Sequence, residues 1–168
     1  VIITCGPTIS GFAVSSGCVG STITINGTNF YNITAANVTI GGTAVTSISS
    51  FTSTQIIAVI GAGTTGTVSV VALGGTATSA GTFTVNSLPT NPSNPTSNSP
   101  QCNPPGVTLT RVGTVPANEV WYWQTVSLGT DTTNSGNTYT ATASGTYYIR
   151  AYNTVSGCWS SGQGSLAV

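Results

Sequence analysis

Charged side chains are almost absent from this chain of 168 residues. It has two basic and two acidic residues, and it has no histidine, no lysine and no methionine. Most acid, base, metal and phosphate sites of enzymes are built from histidine, lysine and clusters of carboxylates. The composition therefore predicts a protein that is not an enzyme and that binds no cofactor or metal. The four charged residues are Arg111, Glu119, Asp131 and Arg150.

The same shortage of charge excludes several classes of partner. No basic patch is available for nucleic acid or for an anionic membrane surface. No run of about 18 apolar residues exists, so we expect no membrane insertion. A net charge of zero removes the electrostatic repulsion between copies, which favours self-association into a fibre or a tandem array.

Four cysteines are present, and none shows the two-residue spacing of a zinc or redox motif. Disulfides in an oxidising compartment are the favoured interpretation, with Cys5 bound to Cys18 and Cys102 bound to Cys158, because each bridge then stays inside one domain. Four free thiols are the alternative. Since residue 1 is Val, we also expect a processed chain or a piece of a longer one.

Proline and asparagine crowd residues 87–100, where Pro89, Pro92 and Pro95 recur with the three-residue period of a polyproline II helix. This pattern predicts a semi-rigid Pro/Asn/Ser linker between an N-terminal domain, residues 1–86, and a C-terminal domain, residues 101–168. Each predicted domain has the size of one small β-sandwich.

Alternation of β-branched and hydroxyl side chains dominates both predicted domains. Thr22–Ile25 and Thr67–Val70 are examples in the first, and turn signals such as Asn26-Gly27 separate the runs. The second domain repeats the pattern over Val120–Thr125 and Tyr147–Tyr152. We therefore predict an all-β protein of two immunoglobulin-like sandwiches.

Four segments of the first domain carry the motifs of a known family: Pro7–Ile9, Gly20–Phe30, Val38–Gly42 and Gly66–Val70. Together they resemble an IPT/TIG immunoglobulin-like domain. In the second domain, Cys102, Trp121–Gln124, Ser144–Tyr148 and Cys158–Trp159 are similar to the immunoglobulin-like repeats of large secreted surface proteins from Bacteroidetes-type bacteria.

These resemblances imply secreted, extracellular or cell-surface modules that act as spacers, adhesins or stalks, and they supply no catalytic residues. Antibody domains join strands B and F by a disulfide, but the matching positions here are Leu109 and Ile149. The bridge of the second domain is therefore expected to tie the first strand to the loop after strand F.

Aromatic side chains of the second domain are the main candidates for a binding surface. Because Trp121 and Trp123 alternate with Tyr122, and Tyr147 with Tyr148, some of these rings must be core and some must face outward. Tyr147 also fits a tyrosine corner. The residues proposed for a subunit or glycan contact are Trp121, Trp123, Trp159, Tyr148 and Tyr152.

Two further features suggest surface roles. The apolar segment Val1, Ile2, Ile3 is read either as a strand of its own sandwich or as a strand donated to the sheet edge of another subunit. Candidate glycosylation positions are Asn26, Asn32 and Asn37, each in an Asn-X-Thr triplet, and Thr132, which follows an acidic residue.

The function predicted from these features is that of a non-enzymatic extracellular structural or adhesive protein. It would be the repeating subunit of a surface filament or a segment of a long adhesin of tandem immunoglobulin-like domains. The alternative is a carbohydrate-binding or spacer module from a secreted polysaccharide-degrading enzyme, in which outward tryptophans bind sugar rings.

Overall fold

The computed structural model describes residues 5–99 and 106–168. The chain divides into two compact units, Val1–Ser87 and Leu88–Val168. Strands build the described part of both units, and the helical content there is one short 3-10 turn, Ala35–Asn37. The all-β class is therefore confirmed.

The first unit is a sandwich of two sheets. One sheet has the strand order β1-β3-β7-β6 and the other β2-β9-β8-β4-β5. The strands are β1 (Thr8–Phe12), β2 (Ser16–Cys18), β3 (Thr22–Thr28), β4 (Val38–Ile40), β5 (Thr43–Ala44), β6 (Ser47–Phe51), β7 (Gln55–Val59), β8 (Gly66–Ala72) and β9 (Gly75–Asn86).

The core of the first unit is formed mainly by the β-branched residues that alternate with hydroxyl side chains along its strands. Ile23 and Ile25 of β3 are fully buried, as are Val68 and Val70 of β8 in the facing sheet, whereas the residues between them are less buried. Burying each of these side chains contributes roughly 1.5–3 kcal/mol. Hydrophobic packing between the sheets therefore holds this sandwich together.

The chain enters and leaves the first sandwich at opposite ends. β1 runs antiparallel to β3 with Thr8 opposite Thr28, so the start of the fold lies beside the end of β3. β9 leaves the sheet at Asn86, which pairs in parallel with Cys18 of β2, just before β3 begins. The start of β1 and the end of β9 are thus separated by the length of the sandwich.

The second unit has two smaller sheets of orders β10-β11-β13 and β12-β14-β15. Their inward side chains form a core that includes Leu109, Ile149 and Ala151, all fully buried. The strands are β10 (Thr96–Ser97), β11 (Val107–Thr110), β12 (Glu119–Gln124), β13 (Thr138–Ala141), β14 (Thr146–Asn153) and β15 (Gly164–Ala167).

The stretch predicted as a linker belongs largely to the second unit. Pro89, Pro92 and Pro95 are all buried, so burial follows the three-residue period of the sequence. The unit begins at Leu88. Residues 88–99 are therefore part of a folded domain rather than a separate linker, which corrects the predicted division of the chain.

Two asparagine side chains fasten this stretch to β15 and to the residues just before it. The amide oxygen of Asn91 accepts a hydrogen bond from the backbone N–H of Gly162 at 2.7 Å, and that of Asn94 accepts one from Ser165 at 3.0 Å. Both the acceptors and the donors are three residues apart. Side-chain amide oxygens of this stretch thus accept backbone N–H groups that a neighbouring strand would bond with its carbonyls.

Candidate functional site

The aromatic residues of the second unit divide between the two faces of the β12-β14-β15 sheet. Trp121 and Trp123 face the core, where only 7% and 3% of their surface is exposed. The indole nitrogen of Trp121 donates to Glu119 Oε2 at 3.4 Å, and that of Trp123 donates to the Gly136 carbonyl at 3.0 Å. The prediction that these two tryptophans contact a glycan or another subunit is wrong, because both rings fill the core.

The opposite face carries a compact group that we call the aromatic–arginine cluster: Tyr122, Arg150, Tyr152 and Trp159. Tyr122 lies directly across from Arg150 in the β12–β14 pair. The Trp159 ring centroid is 5.7 Å from that of Tyr122 and 4.9 Å from that of Tyr152. The rings are tilted against each other rather than coplanar, so they form a packed cluster and not a flat platform.

Arg150 anchors this cluster. Its guanidinium donates to the carbonyl of Ser160 at 2.7 and 3.1 Å, to that of Leu128 at 2.7 Å and to that of Gly129 at 3.2 Å. Its Cζ lies 5.4 Å from the centroid of Trp159, which adds a cation–π contact. Burial lowers the pKa of Arg150 from its ordinary value. One cation therefore ties two loops to the sheet.

The other three charged side chains are also bonded within the fold. Arg111 donates to the side chain of Asn137 at 3.1 Å. Asp131 accepts a hydrogen bond from the N–H of Thr133 at 2.8 Å, and Glu119 accepts the indole hydrogen bond of Trp121. The few charges of this chain thus serve its own loops and core.

Tyr147 and Tyr148 have different roles, as their alternation predicts. The Tyr147 hydroxyl donates to the carbonyl of Ala143, four residues upstream, at 3.0 Å, which matches the geometry of a tyrosine corner. Tyr148 lies on the same face as Arg150 and is half-buried. Its role as a contact residue stays a prediction.

The cysteines depart from the predicted pairing. The sulfur of Cys18 is in a disulfide, and so is that of Cys158. Cys5, in contrast, is a free, exposed thiol. Cys5 precedes the end of β1 that pairs with Thr28, whereas Cys18 precedes the opposite end of β3. A seven-residue strand spans roughly 20 Å, and a disulfide needs Cα atoms within about 7 Å. The predicted Cys5–Cys18 bridge is therefore wrong, and Cys102 lies outside the described residues.

The candidate modification positions differ in accessibility. Asn32 and Thr132 are exposed. Asn26 is half-buried and accepts a hydrogen bond from Gln55, while Asn37 is half-buried and caps the 3-10 turn by accepting from the N–H and hydroxyl of Thr34. Asn32 and Thr132 therefore offer the freest side chains among these four predictions.

The remaining predictions concern a donated strand, metals and membranes. Val1, Ile2 and Ile3 lie outside the described residues. Within residues 5–99 and 106–168 no group of three or more His, Cys, Asp or Glu side chains is arranged to hold a metal ion. In the same residues no helix has the length and apolar character needed to cross a bilayer.

Comparison with known proteins identifies the first unit. The family model described as "IPT/TIG domain" matches residues 7–86, which include all nine strands of that sandwich described above. The first domain is an IPT/TIG domain. This match confirms the resemblance to the IPT/TIG family that four segments of the sequence indicated. No curated protein matches the chain.

Two solved structures are similar to parts of the chain. A crystal structure titled "domains CD (residues 230-489)" is 24% identical over 86% of this chain and 54% of its own, with a TM-score of 0.39. A gamma-CGTase from alkalophilic Bacillus clarkii is 14% identical over 98% of this chain and 26% of its own, also with a TM-score of 0.39. The chain with its IPT/TIG domain thus spans about half or less of either structure.

Proposed function

We propose that this chain is a non-enzymatic extracellular structural protein that associates with copies of itself, as the repeating subunit of a surface filament or as a segment of a tandem adhesin. The observation that carries the proposal is the use of its charges. All four charged side chains are bonded within the fold. With so few charges, contacts between copies would rest mainly on backbone edges, hydroxyl groups and apolar side chains.

Three further observations support this function. The first domain is an IPT/TIG module, and such immunoglobulin-like modules serve as building blocks rather than catalysts. The disulfide-bonded state of Cys18 and Cys158 fits an oxidising, extracellular compartment. Large apolar side chains are exposed at several places, including Tyr31 at 50% and Leu73 at 51%, and these are available for contacts between copies.

The carbohydrate-binding alternative is weakened by the position of the indoles. Trp121 and Trp123 are core residues, and Trp159 packs against two tyrosines and Arg150. A sugar platform needs an aromatic face that is open to the ligand. The tilted packing of the aromatic–arginine cluster favours a structural contact over glycan stacking.

Electron microscopy of the purified chain at low and high ionic strength tests the proposal. We expect filaments or ordered oligomers that persist in about 2 M NaCl, because salt screens charge pairs and leaves backbone and apolar contacts intact. A chain that stays monomeric at every concentration and salt level contradicts the function. Glycan-array binding lost in Trp159→Ala, with no self-association, would instead support the carbohydrate-binding alternative.

A further inference from the structure

A groove runs along the side of the first sandwich between its two sheets. It is lined by Ile9, Ser10, Gly11 and Phe12 of β1 and by Ser79, Ala80 and Gly81 of β9, and its volume is about 200 Å³. Pockets for small ligands usually measure about 300–1,000 Å³. This groove is therefore better suited to the side chains of a few extended residues.

Both walls of the groove are strand edges without a strand neighbour among the described residues. β1 is the outermost strand of its sheet. β2 covers β9 only at Thr84–Asn86, so the rest of β9 pairs only with β8. Unpaired edges of this kind offer backbone donors and acceptors to an added strand.

A bulge interrupts the pairing of β9 with β8 beside the groove. Between the pairs Thr67–Thr82 and Ser69–Thr78, three residues of β9 oppose a single residue of β8. The Ser79 hydroxyl substitutes for the missing backbone acceptor, since it accepts the N–H of Val68 at 2.9 Å and donates to the Gly81 carbonyl at 2.6 Å. Ala80 and Gly81 thus have no partner residue in β8.

The floor of the groove is apolar. Phe12 packs edge-to-face on Phe83 with ring centroids 5.9 Å apart, and Ile9 and Phe12 both pack against the core. None of the lining residues is charged. The occupant that suits this site is a short, uncharged, β-branched strand.

We propose that the groove accepts the segment Val1–Thr4 of a second copy of this chain. The sequence of this segment, Val-Ile-Ile-Thr, is uncharged and β-branched, as the apolar and uncharged groove requires. In an extended strand Val1 and Ile3 share one face, which would pack on Phe12. This inference rests on the proposed self-association and names the contact through which two copies would bind.

The geometry of the first domain favours a second copy over the same chain. β1 runs from Thr8 to Phe12, and Gly6, just before it, is held at the start of the strand because its carbonyl accepts a hydrogen bond from Asn29 Nδ2 at 3.0 Å. A segment that precedes Gly6 reaches its own groove only by reversing direction. Donation to a neighbour requires no such reversal.

Cysteine cross-linking between subunits that carry different cysteine substitutions tests the proposed contact between the segment and the groove. In a Cys5→Ser background, Ile2→Cys subunits are mixed with Ala80→Cys subunits, allowed to assemble and mildly oxidised. We expect a disulfide between the two subunit types, identified by mass spectrometry of non-reduced digests. The matched control is Ser49→Cys, an exposed position on β6 at a different sheet edge, which should give at least about tenfold less cross-link.

A groove-filling variant provides a second readout. A Cβ at Gly81 meets no atom within 4 Å, so Gly81→Val should fold normally while its side chain occupies the groove. We expect the concentration needed for assembly to rise about tenfold or more, with an unchanged thermal midpoint of the first domain. The control Thr82→Val changes an exposed neighbour that does not line the groove.

The outcomes of these experiments distinguish failure of the groove assignment from failure of the proposed self-association. Cross-linking within one chain, equal cross-linking to Ser49→Cys, or normal assembly of Gly81→Val would each overturn the groove assignment while filaments of the wild-type chain still support the proposed function. A wild-type chain that never assembles overturns both.

Discussion

The amide oxygen of Asn94 and the backbone N–H of Ser165 are joined by a 3.0 Å hydrogen bond. Replacing Asn94 by Ala should lower the free energy of unfolding of the second domain by about 1 kcal/mol, because the N–H of Ser165 loses its partner. Urea unfolding followed by tryptophan fluorescence measures this, since all three tryptophans, Trp121, Trp123 and Trp159, lie in that domain. Ser93→Ala, at an exposed position in the same segment, is the control and should change little.

Arg150 is expected to be the most sensitive charged residue. Arg150→Met removes the donors to Ser160, Leu128 and Gly129 and should cost about 2 kcal/mol in the same unfolding assay. Arg150→Lys should not restore stability, because one ammonium group cannot reproduce the fork that spans two loops. An equal loss in the control Arg111→Met would contradict this assignment.

The contribution of the tyrosine corner to stability can be tested against the neighbouring residue as a control. Tyr147→Phe deletes the hydroxyl that donates to Ala143 at 3.0 Å and should lower the free energy of unfolding by about 1 kcal/mol. Tyr148→Phe removes a hydroxyl that makes no hydrogen bond within the described residues. Equal effects of the two substitutions would rule out the corner as a stabilising contact.

Stability should be nearly independent of pH between about pH 5 and pH 7. Stability changes with pH only where folded and unfolded chains bind different numbers of protons, and the chain has no histidine, the side chain that ordinarily titrates in this window. Thermal unfolding monitored by circular dichroism at several pH values checks this. A midpoint that moves by more than a few degrees across the window would contradict it.

The periodic features of the sequence predicted the fold well. Alternating β-branched residues such as Ile23 and Ile25 lie where the pattern placed them, on the inner face of a strand. Alternation also predicted that Trp121 and Tyr122 face opposite sides of their sheet. It could not tell which side was the core, because a strand with large rings on both faces gives no amphipathic contrast.

Features that depend on contacts distant in sequence were not predicted. The three-residue proline period indicated an extended segment, but the docking of Asn91 on Gly162 spans 71 residues and leaves no local signal. Cys5 and Cys18 are close in sequence, yet the direction of β1 separates them. The sequence clue to the aromatic–arginine cluster was the spacing of Arg150 and Tyr152, two residues apart on one strand face.

The placement of the chain ends in the first domain has a mechanical consequence. Strand β1 begins at Thr8, beside Thr28, and β9 ends at Asn86, at the other end of the sandwich. Tension along a fibre would therefore pull the parallel pair of β2 and β9 lengthwise, so that its backbone hydrogen bonds carry the load together instead of opening one after another. Backbone hydrogen bonds that are loaded together in this way should resist rupture better than bonds that open one at a time.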